Sequence, residues 1–335
     1  MIDAESLAAA AEQLTDRLGT AVRRDHPLAP LTTYRVGGAA ALFVEARSVD
    51  DLVAVAEVRL ATRLPVLTIG RGSNMLVADA GFRGIAVSVA EFASQIEIPD
   101  GVADGAVVEV GAGGGAALPV VARRTAAAGV TGFEWAVGVP GSIGGAVRMN
   151  AGGHGSDMAA CVVDAGVFDI DDPARGPIRI AVDDLGLRFR ASSLAPTHIV
   201  LDARLALRAG DRAASEREIA EIVRWRREHQ PGGQNCGSVF VNPVPGEVTA
   251  GGLIDSLGLR GFAIGTAWVS EKHANFVQAA DGGSAADVRA VIEAVREKVA
   301  AATGYRLRSE VRLVGFDDAD PMSFHESGAP EERAR

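Results

Sequence analysis

Apolar positions recur along this chain in two rhythms. Residues 6 to 19 carry them at helical spacing and stop at Gly19, which predicts an amphipathic helix. Residues 41–45 read as a strand, residues 50 to about 63 as a helix, and residues 65–69 as a second strand, a βαβ beginning with a glycine turn at its exit. A second α/β stretch runs from about 90 to 210. The punctuation Pro231-Gly232-Gly233 precedes a third, and the last boundary falls near Gly210. Towards the end, Ser284-Ala285-Ala286-Asp287 has the pattern of a capping box. Val288, Val291, Ile292, Val295 and Val299 then form one stripe before Gly304, predicting a helix over 285–302. Tyr305, Leu307, Ser309, Val311 and Leu313 next alternate with Arg306, Arg308, Glu310, Arg312 and Val314, the period of a half-exposed strand with Glu310 among three arginines. Residues 317–335 are polar and expected to be disordered. The expected organisation is a helix over 1–20, a domain over 21–210 in two subdomains that meet near residue 90, a second domain over 211–316, and the tail.

A chain of 335 residues exceeds what one core serves, in keeping with two or three units. At 48% hydrophobic and 23% charged residues it has globular composition, with no apolar run of membrane-spanning length. The start, Met1-Ile2-Asp3-Ala4-Glu5, is acidic where a secretory signal needs cations, so a cytoplasmic location is expected. The formal charge of −10 argues against extended binding to nucleic acid or anionic membrane, and an anionic ligand would need local groups to hold it. Two cysteines, Cys161 and Cys236, suit neither a disulfide framework nor a zinc site. They read as reduced buried thiols, and no metal site is expected.

Three glycine-rich segments stand out. Residues 107–116 have the look of a strand entering G-x-G-x-x-A, the opening of a Rossmann site, but the acidic residue such a unit needs at the end of its next strand is missing. A glycine turn feeding a helix, with Pro119 in its first turn, is the better reading. In Ile69-Gly70-Arg71-Gly72-Ser73-Asn74-Met75-Leu76-Val77 a strand enters a turn of residues that tolerate positive φ. Its backbone N–H groups could converge on a pyrophosphate, or the segment could be a tight surface turn. Residues 138–153 hold six glycines without linker monotony, which implies backbone brought close to a flat or highly charged ligand such as a cofactor.

These segments, with Leu31-Thr32-Thr33-Tyr34-Arg35-Val36-Gly37-Gly38, resemble the UDP-N-acetylenolpyruvoylglucosamine reductases, the MurB family of bacterial peptidoglycan synthesis. The resemblance continues in the family's order through residues 235–243, 250–255, Ser270-Glu271-Lys272-His273 and Ser309-Glu310-Val311-Arg312, so that residues 20 to 316 are covered. It implies an α+β fold: a two-subdomain FAD-binding unit of the vanillyl-alcohol-oxidase (PCMH) type, followed by a smaller α/β substrate domain. The short stretch from Asn242 to Ala250 corresponds to the type that lacks the inserted substrate loop. FAD held without a covalent bond is implied as cofactor, gripped by Tyr34, Arg35, the run Gly70, Arg71, Gly72, Ser73, Asn74, Met75 and Leu76, the run Gly138, Val139, Pro140, Gly141, Ser142, Gly144, Gly145 and Ala146, and Asn150, Ala151 and Gly152.

The implied reaction is ping-pong. NADPH reduces FAD and leaves, and UDP-N-acetylglucosamine enolpyruvate enters the same site to become UDP-N-acetylmuramate. Charge then builds on the carbon beside the carboxylate, which calls for a cation and a proton donor. Residue by residue, Ser238 falls on the proton donor, and Arg190 and Glu310 fall on the groups that stabilise the enol. Without the surrounding motifs these would read as a turn serine, an exposed strand arginine and a member of a charge ladder. His154, Phe189, Asn242, Lys272 and His273 are the expected substrate contacts, with surface histidine and turn roles as alternatives for His154, Lys272 and His273. Phe189 stands where a tyrosine usually precedes the catalytic arginine, His154 stands near a usual tyrosine, and Val241 replaces a frequent lysine. Two rivals remain: an oxidase on the same cofactor fold, disfavoured by the motifs after residue 210, and a sugar-nucleotide binder without catalysis, disfavoured by Arg190, Ser238 and Glu310 together.

Overall fold

The computed structural model describes residues 4–101 and 103–316; the polar tail from 317 lies outside the described residues. The described residues divide into two compact units, the first comprising residues 4–26, 40–71 and 83–226, the second residues 27–39, 72–82 and 227–316.

The first unit holds two cores. The helix Ala4–Leu18 ends at Gly19, whose φ of +57° only glycine adopts freely, and packs against the helix Val49–Thr62. Both cover a four-stranded sheet with the order Val22–Pro27, Ala39–Glu45, Phe82–Ser88, Val66–Thr68, and Leu14, Leu52, Val55, Val44, Ile85 and Val87 fill the space between them. The strands expected to form a βαβ are not neighbours: Phe82–Ser88 lies between Ala39–Glu45 and Val66–Thr68, and pairs parallel with the latter. The second core lies under an antiparallel sheet ordered Ile178–Ala181, Val162–Asp169, His198–Ala209, Val107–Gly113, Ile96–Glu97. Along His198–Ala209, Ala203, Leu205 and Leu207 turn into this core while Asp202 and Arg204 face outward, the two-residue alternation of a half-buried strand. On the outer face Arg204 bridges Asp164 and Glu109, and Arg179 bridges Asp164 and Asp202.

The Rossmann-like segment is resolved by this sheet. Strand Val107–Gly113 is paired antiparallel with His198–Ala209, where a dinucleotide fold needs parallel neighbours. Its glycines serve close packing: a Cβ on Gly114 would lie 2.0 Å from the Val200 carbonyl oxygen and one on Gly113 2.4 Å from that of Ala93. Pro119 sits in the first turn of the helix Leu118–Ala127, as expected. The helix Arg212–His229 contributes Ile219 and Ile222 to the core of this unit, although the composition break comes earlier, near 210. Glu134, buried in the same unit, accepts hydrogen bonds from the Ser215 hydroxyl and from Gly132 N–H at 2.7 Å, tying that helix down.

The second unit is built around the helix Ala285–Thr303, whose buried Val288, Val291, Ile292, Val295 and Val299 are the expected stripe. It packs on the antiparallel strands Ala263–Ile264, Ala267–Val269 and Val277–Ala279. Ser284 caps the helix, accepting from Ala286 and Asp287 N–H, but the reciprocal half of the capping box is absent. The Asp287 carboxylate instead accepts from Thr266 N–H and Oγ1. Asp79 completes the cap, accepting from Ala285 and Ala286 N–H and from Ser284 Oγ. The alternating segment 305–314 becomes a strand only at Arg312–Val314, parallel to Met75–Val77; before that, Ser309 bridges Phe240. The segment changes partner midway, which breaks its ladder, yet the alternation of buried Leu307, Ser309 and Val311 holds.

Candidate active site

In the first unit the two glycine turns touch. A Cβ on Gly70 would sit 2.4 Å from Ser142 Oγ, and Ser142 caps the helix Ile143–Met149 through Gly145 N–H. The N–H groups of Ile143 and Gly144 are taken by the carbonyls of Ala116 and Gly114, and that of Ala146 by Ser142 O. The second turn therefore offers side-chain-free surface more than spare donors. The first turn offers donors: the N–H groups of Gly70 and Arg71 have no acceptor among the described residues. Asn150, at φ +37°, ends the helix; its buried amide donates to Asp157 Oδ2 at 3.1 Å and accepts from Ala159 N–H at 2.9 Å, which fixes the following loop. Gly152 has no room for a Cβ, which would fall 2.6 Å from the Ser156 oxygen.

Beyond it, His154 adopts φ +51° with its ring edge-on to Trp225, 5.1 Å between centroids, and a Cβ on Gly138 would lie 3.1 Å from its Cδ2. Burial, reinforced by the Arg226 charge, lowers the His154 pKa; burial also lowers that of Arg226. Arg226 has no carboxylate partner among the described residues. Sequence reasoning missed Arg226 because Trp225-Arg226-Arg227 in a polar helix reads as a solvated face; only the fold sets it beside Gly138 and His154. Phe189 and Arg190 form the tip of a two-residue turn closed by hydrogen bonds between Arg188 and Ala191, both 3.0 Å. Arg190 takes φ +55°, its guanidinium reaches Gly152 O at 3.3 Å and lies over the Phe189 ring, and Phe189 is 63% exposed.

In the second unit Gly72 has φ +53°, and a Cβ there would meet Leu31 O at 2.4 Å. The N–H groups of Gly72 and Ser73 lack acceptors among the described residues. Thr33, whose N–H donates to Gly72 O, has a buried hydroxyl with no partner. Tyr34 lies wholly within this unit's core with Leu76, Cys236 and Phe240, and burial drives its pKa well up. Arg35 is exposed at φ +53°. The Asn74 amide donates to Glu310 O at 2.8 Å, and Arg312 N–H donates to Asn74 O at 3.0 Å, so this turn holds Glu310 from behind.

Ser238 and Glu310 come together within this unit. Glu310 N–H donates to Val239 O at 2.8 Å and Val241 N–H to Arg308 O at 3.0 Å, an antiparallel pairing that sets them on adjacent segments. Asn275, buried, locks Phe240 through two hydrogen bonds, 3.0 and 2.8 Å, and Asn235 Oδ1 accepts from Gly237 N–H, leaving Ser238 exposed. Asn242 Oδ1 accepts from Ala250 N–H at 3.0 Å, across the short Val244/Val248 turn. Lys272 Nζ donates to Arg227 O; His273 stacks near Phe276 and its pKa is lowered by burial and by Arg260. Cys161 and Cys236 are free and buried, each thiol pushed up to about 12 by burial. Among the described residues no cluster of His, Cys, Asp or Glu could hold a metal, and no helix is long and apolar enough to cross a membrane.

Residues 40–172 match the family described as an FAD binding domain, and residues 229–314 the C-terminal domain of UDP-N-acetylenolpyruvoylglucosamine reductase. A curated reductase of that name from Heliobacterium modesticaldum is 41% identical over 294 residues, 87% of this chain and 90% of that protein. The chain belongs to the UDP-N-acetylenolpyruvoylglucosamine reductase family. A Synechococcus reductase of the same name is 40% identical over 298 residues, 88% of this chain and 93% of its own. The crystal structure of the MurB enzyme of Thermus caldophilus superposes with a TM-score of 0.72 at 30% identity, covering 88% of this chain and 99% of that one. The α+β fold, with an FAD-binding domain followed by a smaller C-terminal domain, is thus the family's.

The residues present suit FAD. In the first unit, the unpaired backbone donors of Gly70 and Arg71 and the glycine surfaces that a Cβ would fill are what an extended, anionic, flat cofactor needs.

Proposed function

We propose that this chain reduces UDP-N-acetylglucosamine enolpyruvate to UDP-N-acetylmuramate with NADPH, as a step of peptidoglycan precursor synthesis in the cytoplasm, and that NADPH and the sugar nucleotide occupy one site in turn. The observation that carries it is the pairing of Ser238 with Glu310 on adjacent segments, in a chain 41% identical to a named reductase. Bound FAD supplies the hydride carrier between NADPH and the terminal enolpyruvyl carbon. Gly70–Leu76 would hold it through spare backbone N–H groups, and Gly138–Ala146 and Asn150–Gly152 would offer it surface free of side chains.

The residues of the chain then handle charge and proton. As hydride reaches the terminal carbon, the electron pair of the carbon–carbon double bond moves to the carbon bearing the carboxylate. The Arg190 guanidinium stabilises that charge, aided by Glu310. The Ser238 hydroxyl gives its proton to the same carbon, completing the saturated ether, and its exposure lets solvent restore the proton. His154, Phe189, Asn242, Lys272 and His273 contact the substrate, and the Arg226 guanidinium beside His154 suits its diphosphate.

The test follows flavin absorbance without oxygen: NADPH should bleach the purified protein, and the enolpyruvyl sugar nucleotide should restore the colour as UDP-N-acetylmuramate appears by mass. Protein that carries no flavin and takes up none would overturn the reading, as would reoxidation without that product.

A further inference from the structure

The loop that carries Phe189 and Arg190 runs from Gly186 to the start of the strand His198–Ala209, and little regular structure holds it. Its tip is closed by the Arg188/Ala191 pair, and Ser193 N–H donates to Leu185 O at 2.8 Å. Arg190 sits at φ +55°, a conformation that side-chain-bearing residues avoid and that persists only where the surroundings impose it. The turn closed by Arg188 and Ala191 sets that conformation at its second central position, and two arginines tie the loop to one neighbour, the helix Ile143–Met149 and the residues directly after it. At the tip, both Nη atoms of Arg190 reach Gly152 O at 3.3 Å. On the return limb, Arg148, in the last turn of that helix, donates to Leu194 O at 3.3 Å, to Ala195 O at 3.1 Å and to His198 O. One guanidinium thus gathers three carbonyls that would otherwise turn to water, and the planar fork of donors fixes their spacing.

We propose that Arg148 is the positioning residue for Arg190: it docks the return limb of the 186–198 loop on the helix that follows the second glycine turn, so that cofactor-side backbone and substrate-side cation are set by one element. The inference rests on the catalytic reading of Arg190 given above. The chain's sequence marks Arg148 only as a polar residue between Val147 and Met149, within a glycine-rich segment whose other side chains are small or apolar. Its role is visible only once the 194–198 carbonyls are seen to converge on it.

The experiment pairs Arg148→Ala, Arg148→Lys, Arg190→Ala and the double variant Arg148→Ala/Arg190→Ala. Arg148→Ala should retain flavin and accept hydride from NADPH at close to the wild-type rate, while reoxidation by the enolpyruvyl sugar nucleotide slows on the order of tenfold to 10²-fold, the cost of about 1 Å of misplacement. Because Arg148 acts through Arg190, the double variant should reoxidise no more slowly than Arg190→Ala alone. Arg148→Lys, which keeps the charge but not the fork, should fall between wild type and alanine, and it carries the test if the alanine variant does not fold. A readout independent of turnover is amide hydrogen exchange of the flavin-free protein, which should accelerate over residues 186–198 in Arg148→Ala and hardly elsewhere. Unchanged exchange in that loop overturns the proposal, and so does a double variant whose loss is the product of the two single losses. If Arg190→Ala itself reoxidises at the wild-type rate, the catalytic reading of Arg190 fails on its own, and the coupling fails with it even where exchange shows the tether to be real.

Discussion

Replacing Gly72 with alanine should unfold the first glycine turn from within. Gly72 stands at φ +53°, and an added Cβ would fall 2.4 Å from Leu31 O and 2.7 Å from Thr32 Cα, both backbone atoms that cannot swing aside. The left-handed conformation alone costs a non-glycine residue about 1–2 kcal/mol. Relieving an overlap of this kind by shifting packed backbone adds roughly 1–3 kcal/mol. The sum, about 2–5 kcal/mol, is a large part of a domain's net stability. Gly282 provides the internal control: it lies in the same unit at φ +66° with nothing within 4 Å of an added Cβ, so Gly282→Ala should show the conformational cost without the overlap. Urea denaturation of the flavin-free variants should give a larger loss for Gly72→Ala than for Gly282→Ala, the difference measuring the Leu31 contact. Titration with FAD, followed by quenching of its fluorescence, should show weakened binding for Gly72→Ala and none of that weakening for Gly282→Ala. Equal destabilisation by the two changes would refute the steric argument. A Gly72→Ala protein that binds FAD as tightly as the wild type would refute the assignment of this turn to the cofactor.

Three further outcomes are expected. Ser238→Ala should leave flavin reduction by NADPH nearly intact and slow anaerobic reoxidation by the enolpyruvyl substrate about 10²–10⁴-fold, as measured by stopped-flow absorbance; wild-type reoxidation would remove Ser238 as the donor. Phe189→Tyr should fold and turn over normally, because the ring is already 63% exposed; any tightening of substrate binding from one added hydrogen bond should stay near 0.5–1.5 kcal/mol, read from KM, and lost turnover with flavin retained would count against the placement of Arg190 beside it. Burial opposes ionisation of Glu134, but hydrogen bonds from Ser215, Thr131 and Gly132 outweigh it and lower its pKa below the ordinary 4.5. Its ionised form therefore stabilises the fold above about that pH, and the contribution fades as pH falls through the lowered value. Thermal melts of Glu134→Gln against wild type should differ near neutrality and converge in acid, and a difference independent of pH would contradict the assignment.

Local rules carried the sequence reading where local physics decides structure. The helix Ala285–Thr303 was legible because five apolar residues at helical spacing lie between a serine cap and Gly304, and nothing distant was needed to form it. The helix Val49–Thr62 and the strands flanking it were legible for the same reason. What sequence could not supply was partner choice. Residues 107–116 have a dinucleotide-site pattern, but strand direction is fixed by residue 200 onward, almost a hundred positions away, where Asp202 pairs with Gly113. Asp287 belongs to a capping box by spacing, and Thr266, in a turn formed by another pair of strands, takes its carboxylate. Arg148 and Arg226 are polar residues in helices until tertiary contacts give one a set of carbonyls and the other a histidine neighbour. The candidate catalytic groups were reached through ordered motifs; their immediate backbone supports were not legible at all.

Those supports follow one rule in both units. In the first, the backbone that follows the second glycine turn accepts from Arg190 at Gly152 O, and the helix between them reaches the same loop through Arg148. In the second, Asn74, which ends the first glycine turn, donates its side-chain amide to Glu310 O and accepts Arg312 N–H on its own carbonyl, bracketing Glu310 from both sides. Each glycine turn is therefore tied to a segment bearing a proposed catalytic group, and Arg148 and Asn74 do so without themselves needing to touch a reacting atom. A hydride transfer demands that donor and acceptor be held within about 0.5 Å of their productive geometry, and mobile loops do not hold such tolerance unless they are tied to the element that sets the other reactant. Asn74→Ala then acquires a sharper meaning than loss of a polar residue in a turn. It should free the Glu310 backbone, so that reoxidation by the sugar nucleotide suffers more than flavin affinity does. An Asn74→Ala protein that loses flavin and keeps the reoxidation rate of whatever fraction remains loaded would show the amide to be a cofactor ligand instead.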